Sequence, residues 1–150
     1  MKTIFSALLL ILLIPKSLLA YKLGDKLDDD VIKKLGIKND NITIVDFFAS
    51  WCASCEKELP LINKLHKEEK EKITFIGVAT DKDVNEGKAF IKRLGITFNV
   101  ISDSEYEIVN KFQPIGMPAL YYIKNGTVVK ILYGAIDNVD EVIKNDVKGL

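Results

Sequence analysis

The sequence is poor in residues that hold metal ions and in charge patterns that bind nucleic acid. Its 150 residues include two cysteines, one histidine and two methionines, whereas a structural zinc site takes four ligands. Lysine and arginine together number 21, aspartate and glutamate also number 21, and no polybasic segment is present. We therefore expect no resident metal, no other cofactor and no nucleic-acid partner.

The sequence also lacks the features that separate domains. Beyond residue 20 it contains no Pro-rich linker, no internal repeat and no low-complexity tract. A chain of this length with 48% hydrophobic residues can bury one core but is short for two. We predict one domain over residues 21–150, and we expect the protein to be a monomer.

The longest apolar run lies within the first 20 residues. Lys2 precedes the stretch Ile4 to Ile14, Lys16 follows it, and Ala20 offers a small residue for cleavage. The stretch is shorter than the roughly 18 residues needed to span a bilayer, so it is typical of a secretory signal peptide. We predict a signal peptide over residues 1–20. An uncleaved anchor is the alternative, because no small residue stands three positions before the cleavage site.

Both cysteines lie in one short segment, Trp51-Cys52-Ala53-Ser54-Cys55. The apolar run Ile42 to Phe48 before them predicts a buried strand, and the amphipathic run after them predicts a helix. Two thiols at this spacing on the first helical turn can close a local disulfide, and the helix N-terminus stabilises one of them as a thiolate. The segment predicts redox chemistry, with Cys52 as the attacking nucleophile and Cys55 as the resolving thiol.

A half zinc site is the alternative for the cysteine pair. His66 stands eleven residues beyond Cys55, which corresponds to about 16 Å along a helix, so it cannot join both sulfurs on one metal ion. We expect His66 to be an ordinary residue of the helix surface, and we assign no metal ligands.

The rest of the chain alternates between predicted strands and helices. The order of strand, helix and strand around the cysteines implies a right-handed crossover between two parallel strands. A short lead-in helix precedes this unit, and a closing helix with one apolar stripe ends the chain. Between them the pattern predicts a strand at Ile73 to Ala79, a helix with Phe90, Ile91 and Leu94, an extended piece at Phe98 to Ile101, a helix with Ile108, Val109 and Phe112, and a hairpin turning at Asn125-Gly126.

Several motifs together resemble the thioredoxin fold, and within it the TlpA/ResA/CcmG-like extracytoplasmic thiol-disulfide oxidoreductases. These motifs are the segment 45–55 (VDFFASWCASC), then Pro60, then Gly116-Met117-Pro118, then the Asn-Gly hairpin. The resemblance implies an α/β fold with a central mixed sheet flanked by helices and a helix-strand insertion before a cis-proline loop. The sequence departs from the family at Asp46, where many TlpA-like members have Asn. It also has Ala53-Ser54 between the cysteines in place of the more usual Gly-Pro or Glu-Pro, so no redox potential can be carried over.

The resemblance also assigns site residues. Asp46 matches the buried acid of thioredoxins and is a candidate acceptor for the proton of Cys55; the alternative is a solvated strand end. Glu58 matches the active-site glutamate of ResA-like proteins, with a solvated surface acid as its alternative. The Met117-Pro118 bond is expected to be cis and to lie against the cysteines. Substrate binding is expected of Trp51, Met117 and Pro118, the alternatives being core packing for Trp51 and gap filling for Met117.

The predicted function is the reduction of disulfides in extracytoplasmic, for example periplasmic, proteins. The resemblance suggests apocytochromes c among the substrates, hence a place in cytochrome c biogenesis, and a membrane thiol donor of the DsbD/CcdA kind. The same residues can instead run the reaction as a disulfide-forming oxidant. A further alternative is a protein that holds Cu(I) for oxidase assembly with its two thiolates and Met117.

Overall fold

A mixed sheet of five strands forms the centre of the domain in the computed structural model, which describes residues 19–38 and 41–150. The strand order is β3-β2-β1-β4-β5. The strands are β1 (Ile42–Phe48), β2 (Ile73–Ala79), β3 (Asn99–Ser102), β4 (Ala119–Lys124) and β5 (Thr127–Tyr133), and the helices are α1 (Asp29–Leu35), α2 (Ala53–Glu69), α3 (Val84–Leu94), α4 (Val109–Phe112) and α5 (Val139–Lys148).

The central strand, β1, is buried along its whole length. It pairs in parallel with β2, from Ile42 opposite Ile73 to Phe48 opposite Ala79, and antiparallel with β4 on its other side. The continuous apolar run had predicted a strand covered on both faces, and the structure confirms it. Because β1 and β2 run in parallel, the segments that follow them meet at the same edge of the sheet, where α2 begins.

Two apolar cores cover the two faces of this sheet. Side chains alternate along a strand, so Ile44 and Phe48 of β1 point into one core and Val45 and Phe47 into the other. The first core packs under α2, α3 and α5, and the second under α1 and α4. Both cysteines belong to the first core.

The structure confirms the predicted lead-in helix, crossover and closing helix. The hairpin between β4 and β5 turns at Asn125 and Gly126, which both have positive φ, as a tight turn of this kind requires. Helix α3 and strand β3 lie between β2 and the Met117-Pro118 bond, where the helix-strand insertion was expected. Strand β3 begins and ends one residue later than predicted.

The prediction for His66 is wrong. Its imidazole is half-buried, with its ring centroid 6.2 Å from that of Phe75 and 5.9 Å from that of Phe98. Burial is the main cause of a lowered pKa for the ring, and Lys67 and Lys70 add to it. The helical pattern could not indicate this environment, because both aromatic rings come from outside α2.

The predicted signal segment lies outside the described residues except for its last two positions. Within residues 19–38 and 41–150, no helix is both long enough and apolar enough to cross a membrane.

Candidate active site

The cysteine pair lies at the N-terminal end of α2. A disulfide joins Cys52 and Cys55, whose Cα atoms are 5.3 Å apart. Cys52 is the N-cap residue, and its Sγ accepts a hydrogen bond from the backbone N–H of Cys55 at 3.2 Å. The backbone N–H of Cys52 donates to the carbonyl of Ala49 at 3.1 Å, which closes a turn between β1 and α2. The helix end therefore presents a backbone donor to the sulfur of Cys52, which is what stabilises a thiolate.

The two sulfur-bearing side chains differ in access to solvent. Cys52 is 7% exposed, whereas Cys55 is fully buried. Substrate can therefore approach the pair only from the Cys52 side. This geometry favours the predicted order of attack, with Cys52 reacting first and Cys55 second.

Asp46 lies inside the sheet, two residues before the end of β1. Its side chain is 2% exposed, and it shares the sheet face of Ile44 and Phe48, the face that α2 covers. Its Oδ1 is buried and has no hydrogen-bond partner among the described residues. Burial raises the pKa of this carboxyl well above its usual value, and the nearby Glu58 raises it further. The alternative of a solvated strand end is wrong.

Glu58 lies on α2 one turn after Cys55 and is also buried, with 3% of its surface exposed. Its Oε2 accepts a long hydrogen bond, 3.4 Å, from the backbone N–H of Ile136 in the loop before α5. Burial raises the pKa of Glu58 to about 7, although the Ile136 hydrogen bond opposes the rise. The alternative of a solvated surface acid is wrong. Glu58 lines a cavity of about 70 Å³ together with Ser54, Lys57, Leu61, Ala135, Ile136 and Asp137.

The two acids and the cysteine pair thus share one side of the sheet. Asp46 and Glu58 are close enough for the charge of one to raise the pKa of the other. A carboxyl group whose pKa lies near neutrality can accept a proton at neutral pH and release it again. Cys55 is buried in the same core and must lose a proton to become a nucleophile.

The loop before β4 forms the other wall of the site. The Met117-Pro118 peptide bond is cis, as the family resemblance implied. Met117 is half-buried and packs against both cores, and its Sδ is 3.5 Å from the hydroxyl of Thr80. Both the substrate-binding prediction and the gap-filling alternative remain compatible with this position.

Trp51 projects from the turn before Cys52 and is 70% exposed. The core-packing alternative for its indole is therefore wrong. The ring lines a groove of about 480 Å³ that runs towards α4 and the cis-proline loop. No charged side chain lines this groove, whose other walls are Val109, Asn110, Gln113, Pro114, Gly116 and Met117.

Two residues at this edge escaped the sequence analysis. Thr80 and Asp81 directly follow β2, and both are buried. The hydroxyl of Thr80 donates to the carbonyl of Phe48 at 3.1 Å, and Asp81 accepts hydrogen bonds from Ser50. Their position was a usable signal, since the residues that follow two neighbouring parallel strands meet at one sheet edge.

The described residues do not bring together the side chains of a metal site. Across residues 19–38 and 41–150, no group of three or more His, Cys, Asp or Glu side chains is placed to hold a metal ion.

Comparison with known proteins identifies the family. The family model described as AhpC/TSA matches residues 21–131. The thiol-disulfide oxidoreductase ResA of Oceanobacillus iheyensis is 30% identical over 129 residues, covering 77% of this chain and 67% of ResA. The ResA of Geobacillus thermodenitrificans is 26% identical and covers 81% of this chain and 75% of its own length.

Solved structures agree on the fold. A Chlorobium tepidum structure, described as a candidate thiol:disulfide interchange protein DsbE, superimposes with a TM-score of 0.74 at 21% identity. The match covers 87% of this chain and 98% of that one. The chain therefore belongs to the AhpC/TSA family and is a thioredoxin-like thiol-disulfide oxidoreductase.

Proposed function

We propose that the protein works as a reductant, converting disulfides of extracytoplasmic proteins to thiols. The observation that carries this direction is the pair of buried carboxyl groups, Asp46 and Glu58, on the Cys55 side of the active site. A strong oxidant of this class has a reduced form stabilised as a thiolate. Buried acids and an apolar core oppose a second negative charge and so favour the disulfide form, which makes the reduced pair a better electron donor.

The first step is attack by Cys52. Its thiolate attacks one sulfur of a substrate disulfide, a mixed disulfide forms, and the other substrate sulfur leaves as a thiolate. The position of Cys52 at the start of α2 lowers the energy of the attacking thiolate, since the backbone N–H of Cys55 donates to its sulfur and the helix dipole favours negative charge there.

The second step is resolution by Cys55. Its thiol gives a proton to the Asp46–Glu58 pair, and the resulting thiolate attacks the sulfur of Cys52. The substrate leaves with its second sulfur reduced, two electrons have been transferred, and the Cys52–Cys55 disulfide is restored. A new cycle needs an external dithiol, for which we propose a membrane thiol donor of the DsbD/CcdA kind.

Substrate binding is proposed for the exposed side of the pair. Trp51 offers an apolar wall, and the backbone of Met117 can pair with an extended substrate segment beside Cys52. Apocytochromes c are among the proposed substrates. The signal-like residues 1–20 support an extracytoplasmic place for the reaction, with or without an anchor.

The test is the reduction potential of the Cys52–Cys55 pair, measured by equilibration with thiol-disulfide buffers. A value near or below about −250 mV supports a reductant, whereas one near about −120 mV would make the protein an oxidant and contradict the proposal. Metal analysis of protein purified under reducing conditions addresses the Cu(I) alternative. Stoichiometric copper would count against a simple reductase.

A further inference from the structure

A buried carboxyl group next to the active site has no part in the mechanism above. Asp81 is 3% exposed and belongs to the loop after β2. Its Oδ1 accepts two hydrogen bonds from Ser50, one from the backbone N–H at 2.9 Å and one from the hydroxyl at 2.6 Å. Its Oδ2 is buried and has no hydrogen-bond partner in the described part of the chain. Burying a carboxyl group with one oxygen lacking a hydrogen-bond partner is unfavourable, so we expect its contacts with Ser50 to have a role.

Ser50 is a central residue of the turn that carries the nucleophile. The turn runs from Ala49 to Cys52 and is closed by the hydrogen bond between their backbone groups. Ser50 and Trp51 occupy its two middle positions. By accepting hydrogen bonds from the backbone N–H and the hydroxyl of Ser50, Asp81 holds the backbone two residues before Cys52.

Helix α3 contains a glycine where Asp81 needs space. Gly87 lies inside this helix, although glycine in a helix interior costs roughly 1 kcal/mol relative to alanine. A Cβ atom at Gly87 would lie 3.0 Å from Oδ2 of Asp81 and 3.4 Å from its Cβ and Cγ. Any larger residue would press on the Asp81 side chain. The helix therefore has a residue of low helix propensity at a position that faces this carboxyl group.

We propose that Asp81 is a positioning residue that sets the reactivity of Cys52 through Ser50, with Gly87 leaving the room for it. The proposal rests on the proposed function, because it concerns the attacking step of that reaction. The bonds to Ser50 keep the turn in the form that places the sulfur of Cys52 over the N–H of Cys55. Without them the turn can relax, and the thiolate loses part of its stabilisation.

Three substitutions separate position from charge. Ser50→Ala removes the hydroxyl donor but leaves the charge of Asp81 in place. Asp81→Asn removes the charge but keeps an oxygen that accepts from Ser50. Gly87→Ala presses on the carboxyl group from the other side while raising helix propensity. Asp83→Asn is the matched control, since Asp83 caps α3 by accepting from Asn85 N–H at 2.8 Å in the same loop.

The readouts are the pH dependence of Cys52 alkylation by iodoacetamide in the reduced protein and the rate of exchange with a model disulfide at pH 7. Ser50→Ala and Gly87→Ala are expected to raise the pKa of the Cys52 thiol and slow exchange by roughly 3- to 10-fold, because small misplacements of a reacting group have effects of this size or larger. Asp81→Asn and Asp83→Asn should stay within about twofold of the unaltered protein in exchange rate.

Unchanged alkylation profiles and exchange rates in folded Ser50→Ala and Gly87→Ala proteins would overturn the proposal. So would an effect of Asp83→Asn equal to theirs, since it would indicate general loosening of the loop. Failure of the proposed function is distinguishable. It would appear as an oxidising potential of the unaltered protein, whereas the alkylation profile of Cys52 can be compared between variants whichever direction the enzyme works in.

Discussion

Cys52 and Cys55 are three residues apart in one helical turn, yet their surroundings differ in almost every respect. Cys52 is partly accessible and directly follows Trp51, whose exposed indole lines an uncharged groove. Cys55 is sealed in the core that also holds Asp46 and Glu58. The sulfur of Cys52 is accessible to a substrate protein, whereas the sulfur of Cys55 is buried inside the domain.

The difference shows how a symmetric pair of thiols acquires a direction of attack. In the proposed mechanism, solvent access assigns Cys52 to attack, and the buried carboxyl groups on the other side accept the proton of Cys55. Substrate selection is then expected to depend on the Cys52 side, and the pH dependence of resolution on the Cys55 side. The following predictions test that division, beginning with the largest expected effect.

Replacing each cysteine by alanine in turn should give two completely different outcomes. Cys52→Ala is expected to abolish exchange, because no other thiol is accessible. Cys55→Ala should still attack substrate but then stop at the mixed disulfide, which accumulates. Mass spectrometry after mixing with a disulfide-bonded protein measures both outcomes. Equal trapping by the two variants would show that the burial of Cys55 does not direct attack.

Asp46→Asn should slow resolution by roughly 100-fold, in line with the loss of a positioned general base. The same change should stabilise the folded protein at neutral pH, because the carboxyl group ionises freely in the unfolded chain, whereas burial disfavours its ionised form in the fold. Because the pKa of Asp46 is raised in the fold, the free energy of unfolding falls as pH rises from the ordinary pKa of an aspartate towards the raised one. The stabilisation by Asp46→Asn should therefore grow over the same pH range. Stopped-flow single turnovers and urea unfolding measure the two effects. A slower attack step with normal resolution would contradict the assignment.

Glu58→Gln should flatten a pH dependence centred near 7. The pKa of Glu58 is raised to about 7, so below pH 4.5 its proton is bound in both the folded and the unfolded chain. Between these values the unfolded chain loses the proton first, and stability falls as pH rises. Removing the ionisable group should cancel this loss, on the order of 2 kcal/mol by pH 8, and reduce the rise of the resolution rate through pH 7.

Glu56→Gln is the matched control for this change. Glu56 lies on the same helix, pairs with Arg93 at the surface, and has a lowered pKa. Its substitution should leave the inflection of the resolution rate near pH 7 intact. If both variants behave alike, the inflection does not belong to Glu58.

Trp51→Ala should have the smallest effect on the protein and act only on the substrate side. Since the indole is 70% exposed, its loss should leave the free energy of unfolding within about 0.5 kcal/mol. KM for a protein disulfide is expected to rise several-fold, while the pKa of Cys52 stays unchanged. Leu23→Ala, at a residue 67% exposed and outside the groove, is the control. A raised KM in both variants would remove the case for the groove.

Local sequence patterns predicted the elements that carry the site. The apolar run of β1, the helix after the cysteines and the Asn125-Gly126 turn each depend on neighbouring residues, so they could be predicted without tertiary information. The cis bond at Pro118 and the active-site role of Glu58 came from the family resemblance. Neither residue spacing nor hydrophobic periodicity predicts these two features.

What sequence reasoning missed depends on contacts between distant segments. Glu58 was open to interpretation as a surface acid because the loop that covers it, at Ile136, lies 78 residues away. Asp81 contacts Ser50 across 31 residues, and its burial is a property of the folded sheet edge. His66 was misjudged for the same reason, since Phe75 and Phe98 enclose it from other elements.

The most direct test of the division between the two thiols is residue-resolved alkylation of the reduced protein across a pH series. Iodoacetamide is added for short intervals, and mass spectrometry assigns the label to Cys52 or Cys55. The account predicts that Cys52 is labelled first, with an apparent pKa below the 8.5 or so of a free thiol, while Cys55 stays protected until well above it. Equal labelling of both cysteines at every pH would contradict it.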